Sequence, residues 1–162
     1  MTSKKRLQDI QNKWLARGPR FRLDAEGIRD NALAIAGLLS TAKGGPSIRP
    51  PQPNGLWTKL GGQKYIYEVS PGEQQYRRGI YVVLKRGSPY PSFMTFDATE
   101  RMTCVTRRSR SNTPLQSLVL LNDPVYTEAA FAFGARMLSE SPEDPDTSRI
   151  DYGFCIAVSR QP

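Results

Sequence analysis

A chain of 162 residues with 38% hydrophobic content suits one domain, large enough to bury most of the surface its unfolded state exposes. It holds no histidine and two cysteines, which excludes the commonest general base, the usual haem ligand and most zinc sites. The formal net charge of +8 is uneven, with 20 Lys/Arg against 8 Asp/Glu in residues 1–110 and 3 against 7 in residues 111–162.

A basic body with an acidic end suits nucleic acid, acidic glycan or an anionic surface. Its arginines are scattered among Gly and Pro instead of lining one helix face, which favours internal bracing of loops. Thirteen Gly and thirteen Pro predict a domain that is mainly α, with long ordered Pro/Gly-rich loops and at most a small β element, spanning 1–162 as one unit. No apolar run approaches the roughly 20 residues of a membrane span. The basic N-terminus MTSKKRLQDIQNKW has no apolar h-region and is not a secretory signal, so the chain is either cytoplasmic or a piece of a longer one.

Lys4 to Arg17 is expected to form a helix with Leu7, Ile10 or Gln11, Trp14 and Leu15 on one side, stopped by Gly18-Pro19. After Asp24 as N-cap, Ile28, Ala32, Ile35 and Leu39 predict an amphipathic helix, with Glu26, Arg29 and Asp30 near its start on a solvated or arginine-paired face. Lys43 to Trp57 contains four prolines and three glycines, so no helix or central strand persists there. Ile48, Leu56 and Trp57 would pin it to the core as an anchored loop. Gln63 to Val69 alternates like a short strand. Ser70-Pro71-Gly72-Glu73 has the form of a capping box, and Tyr76, Ile80, Val83 and Leu84 then predict a helix, against the strand preference of Gly79 and Val82-Val83. Gly87 to Pro91 ends it, and Met102 to Thr106 is a small strand candidate.

The densest local signals follow. Thr113-Pro114 with Gln116 three residues after the cap is a capping box that starts a helix at Pro114. Asp123-Pro124 repeats the device with a carboxylate at the positive end of the next dipole, so the first helix must stop near Asn122. Ser141 to Thr147 reads as an exposed acidic turn, and Ile150, Phe154 and Val158 open a further helix over Arg149 to Ser159. Its apolar face stops at Arg160-Gln161-Pro162, and the expectation is of an incomplete domain. Cys104 and Cys155 either form one disulfide or remain thiols.

Several runs carry a family resemblance: RGPRFRLDAEGIRD from Arg17, GGPSIRPPQPNGLW from Gly44, YRRGIYVVLKR from Tyr76, FDATERMTCVTRRSRSNTPLQSLVLLND from Phe96 and RIDYGFCIAVSRQP from Arg149. Together they resemble the domain of unknown function at the C-terminal end of planctomycete cytochrome c-associated proteins. Thr99 and Leu84 depart from the pattern, where the family commonly has Pro and an aromatic. The resemblance implies a module of a large envelope or exported polypeptide with separate cytochrome c-like domains, and no established activity. It also implies that the family domain continues on both sides of this chain.

No set of residues specifies catalysis, a metal site or a cofactor in this chain. The first functional reading is a scaffold or interaction module, with the rest of its parent polypeptide or another protein as partner. Arg77, Arg78, Arg107, Arg108 and Arg110 are the candidates for holding an acidic polymer or other anion, being near helix N-termini. Ser70, Thr113 and Asp123 are the structural caps. The alternative is the remnant of a hydrolase of acidic polysaccharide, using Asp97 with Glu26 or Asp123. Non-specific nucleic-acid binding is a third reading, supported by charge alone.

Overall fold

The computed structural model describes residues 9–15, 21–55, 66–141 and 145–162. Among them are five α-helices: α1 (Ala25–Ile35), α2 (Pro91–Thr95), α3 (Pro114–Asn122), α4 (Pro124–Glu140) and α5 (Asp146–Val158). Two short 3-10 helices, Gly72–Tyr76 and Gly79–Tyr81, precede α2. The β structure among the described residues is two isolated parallel bridges, Ser40 with Arg77 and Ile48 with Val82, so the fold is mainly α with no sheet.

The core is built around α1. One cluster joins Ala25 to Ile48, Val82, Tyr90, Phe93, Phe96 and Tyr126. A second joins Leu33 and Ala36 to Val125 and Ala129 of α4. Apolar burial of this kind contributes roughly 1.5–3 kcal/mol per large side chain and positions everything else. Tyr90 and Phe93 meet edge to face at 5.1 Å, and Phe96 and Tyr126 at 6.1 Å.

The buried stripe of α1 is Ala25, Arg29 and Leu33, spaced i, i+4, i+8. The expected stripe of Ile28, Ala32, Ile35 and Leu39 flanks it and is only half-buried. The register is rotated because Arg29, expected on an outer face, occupies the middle of the inner one. At the far end, the Arg136 guanidinium of α4 donates to the Ile35 carbonyl at 2.8 Å, a cation on the negative end of the α1 dipole.

The Pro/Gly loop is pinned as the sequence suggests. Ile48 is fully buried, its N–H donates to the Tyr81 carbonyl at 2.8 Å, and its carbonyl accepts from Val83 at 2.9 Å. Leu56 and Trp57 lie outside the described residues.

Pro114 and Pro124 start α3 and α4 as their caps predict, and α3 ends at Asn122. The last helix begins at Asp146, inside the segment read as an acidic turn. It closes at Val158, where Ser159 adopts φ 54° and its N–H returns to the Cys155 carbonyl at 2.8 Å.

Four expected elements do not form among the described residues. Residues 9–15 form turns, because the Asp9 carboxylate takes the Lys13 and Trp14 amides at 2.7 and 3.0 Å in competition with a helix; the rest of Lys4 to Arg17 lies outside the described residues. Ile66 to Val69 carries no strand or bridge, residues 63–65 being outside the described set. The helix from Tyr76 to Leu84 is replaced by the 3-10 pair, since Arg77 and Arg78 are extended and the Tyr76 and Tyr81 carbonyls accept from Ser40 and Ile48 instead of from their own turn. Met102 to Thr106 is a series of bends and open coil. The helix α2 was not anticipated; Pro91 at its first position presets φ, and Ser92 and Phe93 bury its short length.

Among the described residues no helix is long and apolar enough to cross a membrane. Cys104 and Cys155 are free, exposed thiols.

Candidate functional site

Of the residues singled out by the sequence, Arg77, Arg78, Arg108 and Glu26 gather around the first half of α1, where Gly79 makes the approach possible. A Cβ on Gly79 would lie 3.0 Å from the Glu26 Cα, a tighter contact than side chains ordinarily make, so the glycine lets this turn settle closely on the helix. The Gly79 N–H then donates to the Asp30 carboxylate at 2.6 Å.

Arg29 is the centre of the arrangement. It is 1% exposed and donates to the Arg77 carbonyl at 2.7 Å and the Gln75 carbonyl at 2.5 Å. Burial pulls its pKa below the ordinary value, and Tyr90, Asp30, Tyr126 and Asp123 resist that pull. Arg77 continues the relay. Its guanidinium donates to the Pro46 carbonyl at 2.9 Å and to the Gly44 carbonyl, and lies 3.9 Å from the Tyr81 ring centroid. The Tyr81 hydroxyl in turn accepts from the Gly44 amide at 2.9 Å. Two planar forks thus tie α1 to the 3-10 segment and the 3-10 segment to the Pro/Gly loop.

The remaining candidates divide. Arg78 is largely exposed and reaches Asp30 at 3.4 Å. Arg108 grips Glu26 with both terminal nitrogens, at 2.6 and 3.0 Å. Burial pushes the Glu26 carboxyl up, but the Arg108 hydrogen bond, a backbone bond and the charges of Arg108 and Arg101 hold it below its ordinary value. Arg107 is exposed, without an ion pair or hydrogen bond among the described residues. Arg110 lies over the Phe21 ring at 5.6 Å.

Asp97 has φ 62°, a left-handed conformation that Asp tolerates better than most residues. Its carboxylate accepts from the Ser111 amide at 2.7 Å and the Ser111 hydroxyl at 2.8 Å. The Ser111 amide is the main cause holding the Asp97 carboxyl below its ordinary value; burial opposes it, and the hydroxyl and Arg22 assist. Buried Gln116 completes the knot, donating to the Thr95 carbonyl at 2.9 Å and the Ser111 hydroxyl at 3.1 Å while accepting from the Thr113 amide at 3.0 Å.

Asp123 accepts from the Val125 amide at 3.0 Å as the cap of α4. Burial raises its pKa, with the amides of Val125 and Tyr126 and the charge of Arg29 opposing. Beside it the Tyr126 phenol is pushed up to about 12 by burial. Ser70 is not a cap. Pro71 holds that position, and the Ser70 hydroxyl is spent accepting the Arg49 amide at 2.9 Å.

Sequence reasoning missed Arg22 and Ser111, and it placed Arg29 on an outer face; Gln116 in its capping box and Asp30 on an arginine-paired face were anticipated. The available signal was Arg29 falling four residues after Ala25 and four before Leu33, on the inner face once the stripe is rotated by one residue. No group of three or more His, Cys, Asp or Glu suited to a metal occurs among the described residues.

The fold and this arrangement define a loop-rich, mainly α domain clamped by buried guanidinium groups. The chain belongs to the family described as PSD1, protein of unknown function (DUF1553), whose model matches residues 1–162. No curated protein and no solved structure matches it.

Proposed function

We propose that the chain is a non-catalytic scaffold or interaction module that needs no cofactor of its own. Following the resemblance of its sequence, it serves within a larger envelope or exported planctomycete polypeptide with cytochrome c-like domains. Its partner is the rest of that polypeptide or another protein. The observation that carries the reading is the relay from Arg29 through Arg77 to the Gly44 and Pro46 carbonyls, which spends two arginines on loop position.

The inverted burial of α3 supports a docking role. That helix buries Gln116 and leaves Leu115, Leu118, Leu120 and Leu121 exposed. The hydrolase alternative finds its carboxylates occupied, Glu26 by Arg108 and Asp97 by Ser111, and a carboxylate with a local structural duty is usually only that. Non-specific nucleic-acid binding rests on net charge alone.

The test replaces Glu26 with Gln and Asp97 with Asn. Both variants should unfold at lower denaturant than the parent chain. Variants that keep the parent midpoint but abolish cleavage of an acidic polysaccharide by the parent would overturn the scaffold reading.

A further inference from the structure

Beyond the scaffold, one cleft is not consumed by the braces. It measures about 490 Å³ and is lined by Phe21, Arg22, Arg110, Ser111 and Asn112. A second, of about 470 Å³, shares Arg110 and adds Arg107, Arg108 and Ser109. We propose that the Arg22–Arg110 cleft is a binding site for a small organic oxyanion, a phosphate, sulfate or carboxylate group on a ring-sized body.

Three observations carry this. The Arg22 guanidinium packs over the Phe96 ring at 5.3 Å, and its buried Nη1 has no hydrogen-bond partner among the described residues. A buried cationic donor left unmatched is costly, and an anion in the cleft would satisfy it once the Arg22 side chain turns toward the opening. The charge count is also favourable. The Arg22 charge is balanced by Asp97 and that of Arg108 by Glu26, so Arg107 and Arg110 remain in excess. The third observation is size and shape. The volume falls within the roughly 300–1,000 Å³ of small-molecule sites and far exceeds a bare oxyanion. Phe21, exposed and under Arg110, supplies a flat apolar wall beside the cations. The Asn112 side chain adds a neutral hydrogen-bonding group at the same wall, the Ser111 hydroxyl being engaged with Asp97 and Gln116.

The chain is titrated with phenyl phosphate, benzoate and inorganic phosphate, by calorimetry and by the shift in melting temperature. Saturable binding of phenyl phosphate is expected, tighter than inorganic phosphate because the ring rests on Phe21. Equal affinity for the two overturns the ring-sized ligand, since Phe21 would then add nothing to the hold on the bare ion. Benzoate binding as tight as that of phenyl phosphate assigns the site to carboxylates. Arg110→Gln, an exposed change that leaves the core intact, should weaken binding on the order of tenfold, the loss of one charged donor. Arg22→Gln should do at least the same. Arg78→Gln, whose partner is Asp30, should change nothing. Equal weakening by Arg78→Gln, or no saturable binding of any of the three probes, overturns the site. So does binding of only heparin or a DNA oligomer, which would mark a diffuse polyanion surface in its place. None of these outcomes depends on the denaturation midpoints of the Glu26 and Asp97 variants, so the site and the scaffold reading fail separately.

Discussion

Replacing Arg29 with Lys isolates what the buried fork does. The guanidinium meets two carbonyls, of Arg77 and Gln75, at 2.7 and 2.5 Å from different terminal nitrogens. A lysine ammonium at the end of a similar stem keeps the charge but reaches one of them. Losing one hydrogen bond from a charged donor costs about 1.5–3 kcal/mol. Burying the more strongly hydrated ammonium adds to it, for a total of roughly 2–4 kcal/mol. In a chain of this size each kcal/mol moves the melting midpoint by about 2–4 °C, so the variant should melt roughly 5–15 °C lower. Calorimetry and urea unfolding, with Arg107→Lys as the exposed control expected within about 0.5 kcal/mol, measure the difference. If Arg29→Lys falls within the range of that control, or if Arg29→Met is more stable than the parent, the two bonds do not hold α1 to the 3-10 segment and the bracing argument is wrong.

Acid should weaken the fold through Glu26. Its folded pKa is depressed below the ordinary 4.5, so the stability it contributes is fully present above that value and is lost as pH falls through the depressed one; Glu26→Gln should flatten urea midpoints measured across this window. Asp123 runs the other way: its folded pKa is raised above 3.8, so its contribution declines as pH rises from that value through the folded one, and Asp123→Asn should remove this decline. As the cap of α4, Asp123→Ala should cost about 1 kcal/mol in the same unfolding assay while Asp123→Asn, itself a good cap, stays close to the parent.

The elements readable in the sequence are those whose cause is local. Pro114 and Pro124, each behind a capping residue, mark the starts of α3 and α4 without help from the rest of the chain. The segment from Ser70 to Leu84 was not readable, because its backbone is claimed by Ser40 and Ile48, residues far away in sequence. Gly79 counts in the sequence only against a helix, and its approach to Glu26 has no local signal. Among the site residues the sequence supplied the arginines and their chemistry. Which of them are clamps depends on partners up to 82 positions away, as with Arg108 and Glu26, and no local pattern encodes that separation.

The clasp between Asp97 and Ser111 closes a loop whose ends are 14 positions apart. One end leaves the core at Phe96 and the other returns to it through Gln116, so the clasp, not the intervening chain, fixes where the loop is rooted. Doubling the length of such a loop adds only about 0.6 kcal/mol of closure entropy. The stretch from Glu100 to Arg107, ahead of the Arg108 grip on Glu26, is therefore an exchangeable cassette. Peptide epitopes or longer recognition sequences can be grafted between Ala98 and Arg108 while α1, α3 and the aromatic interior keep their places.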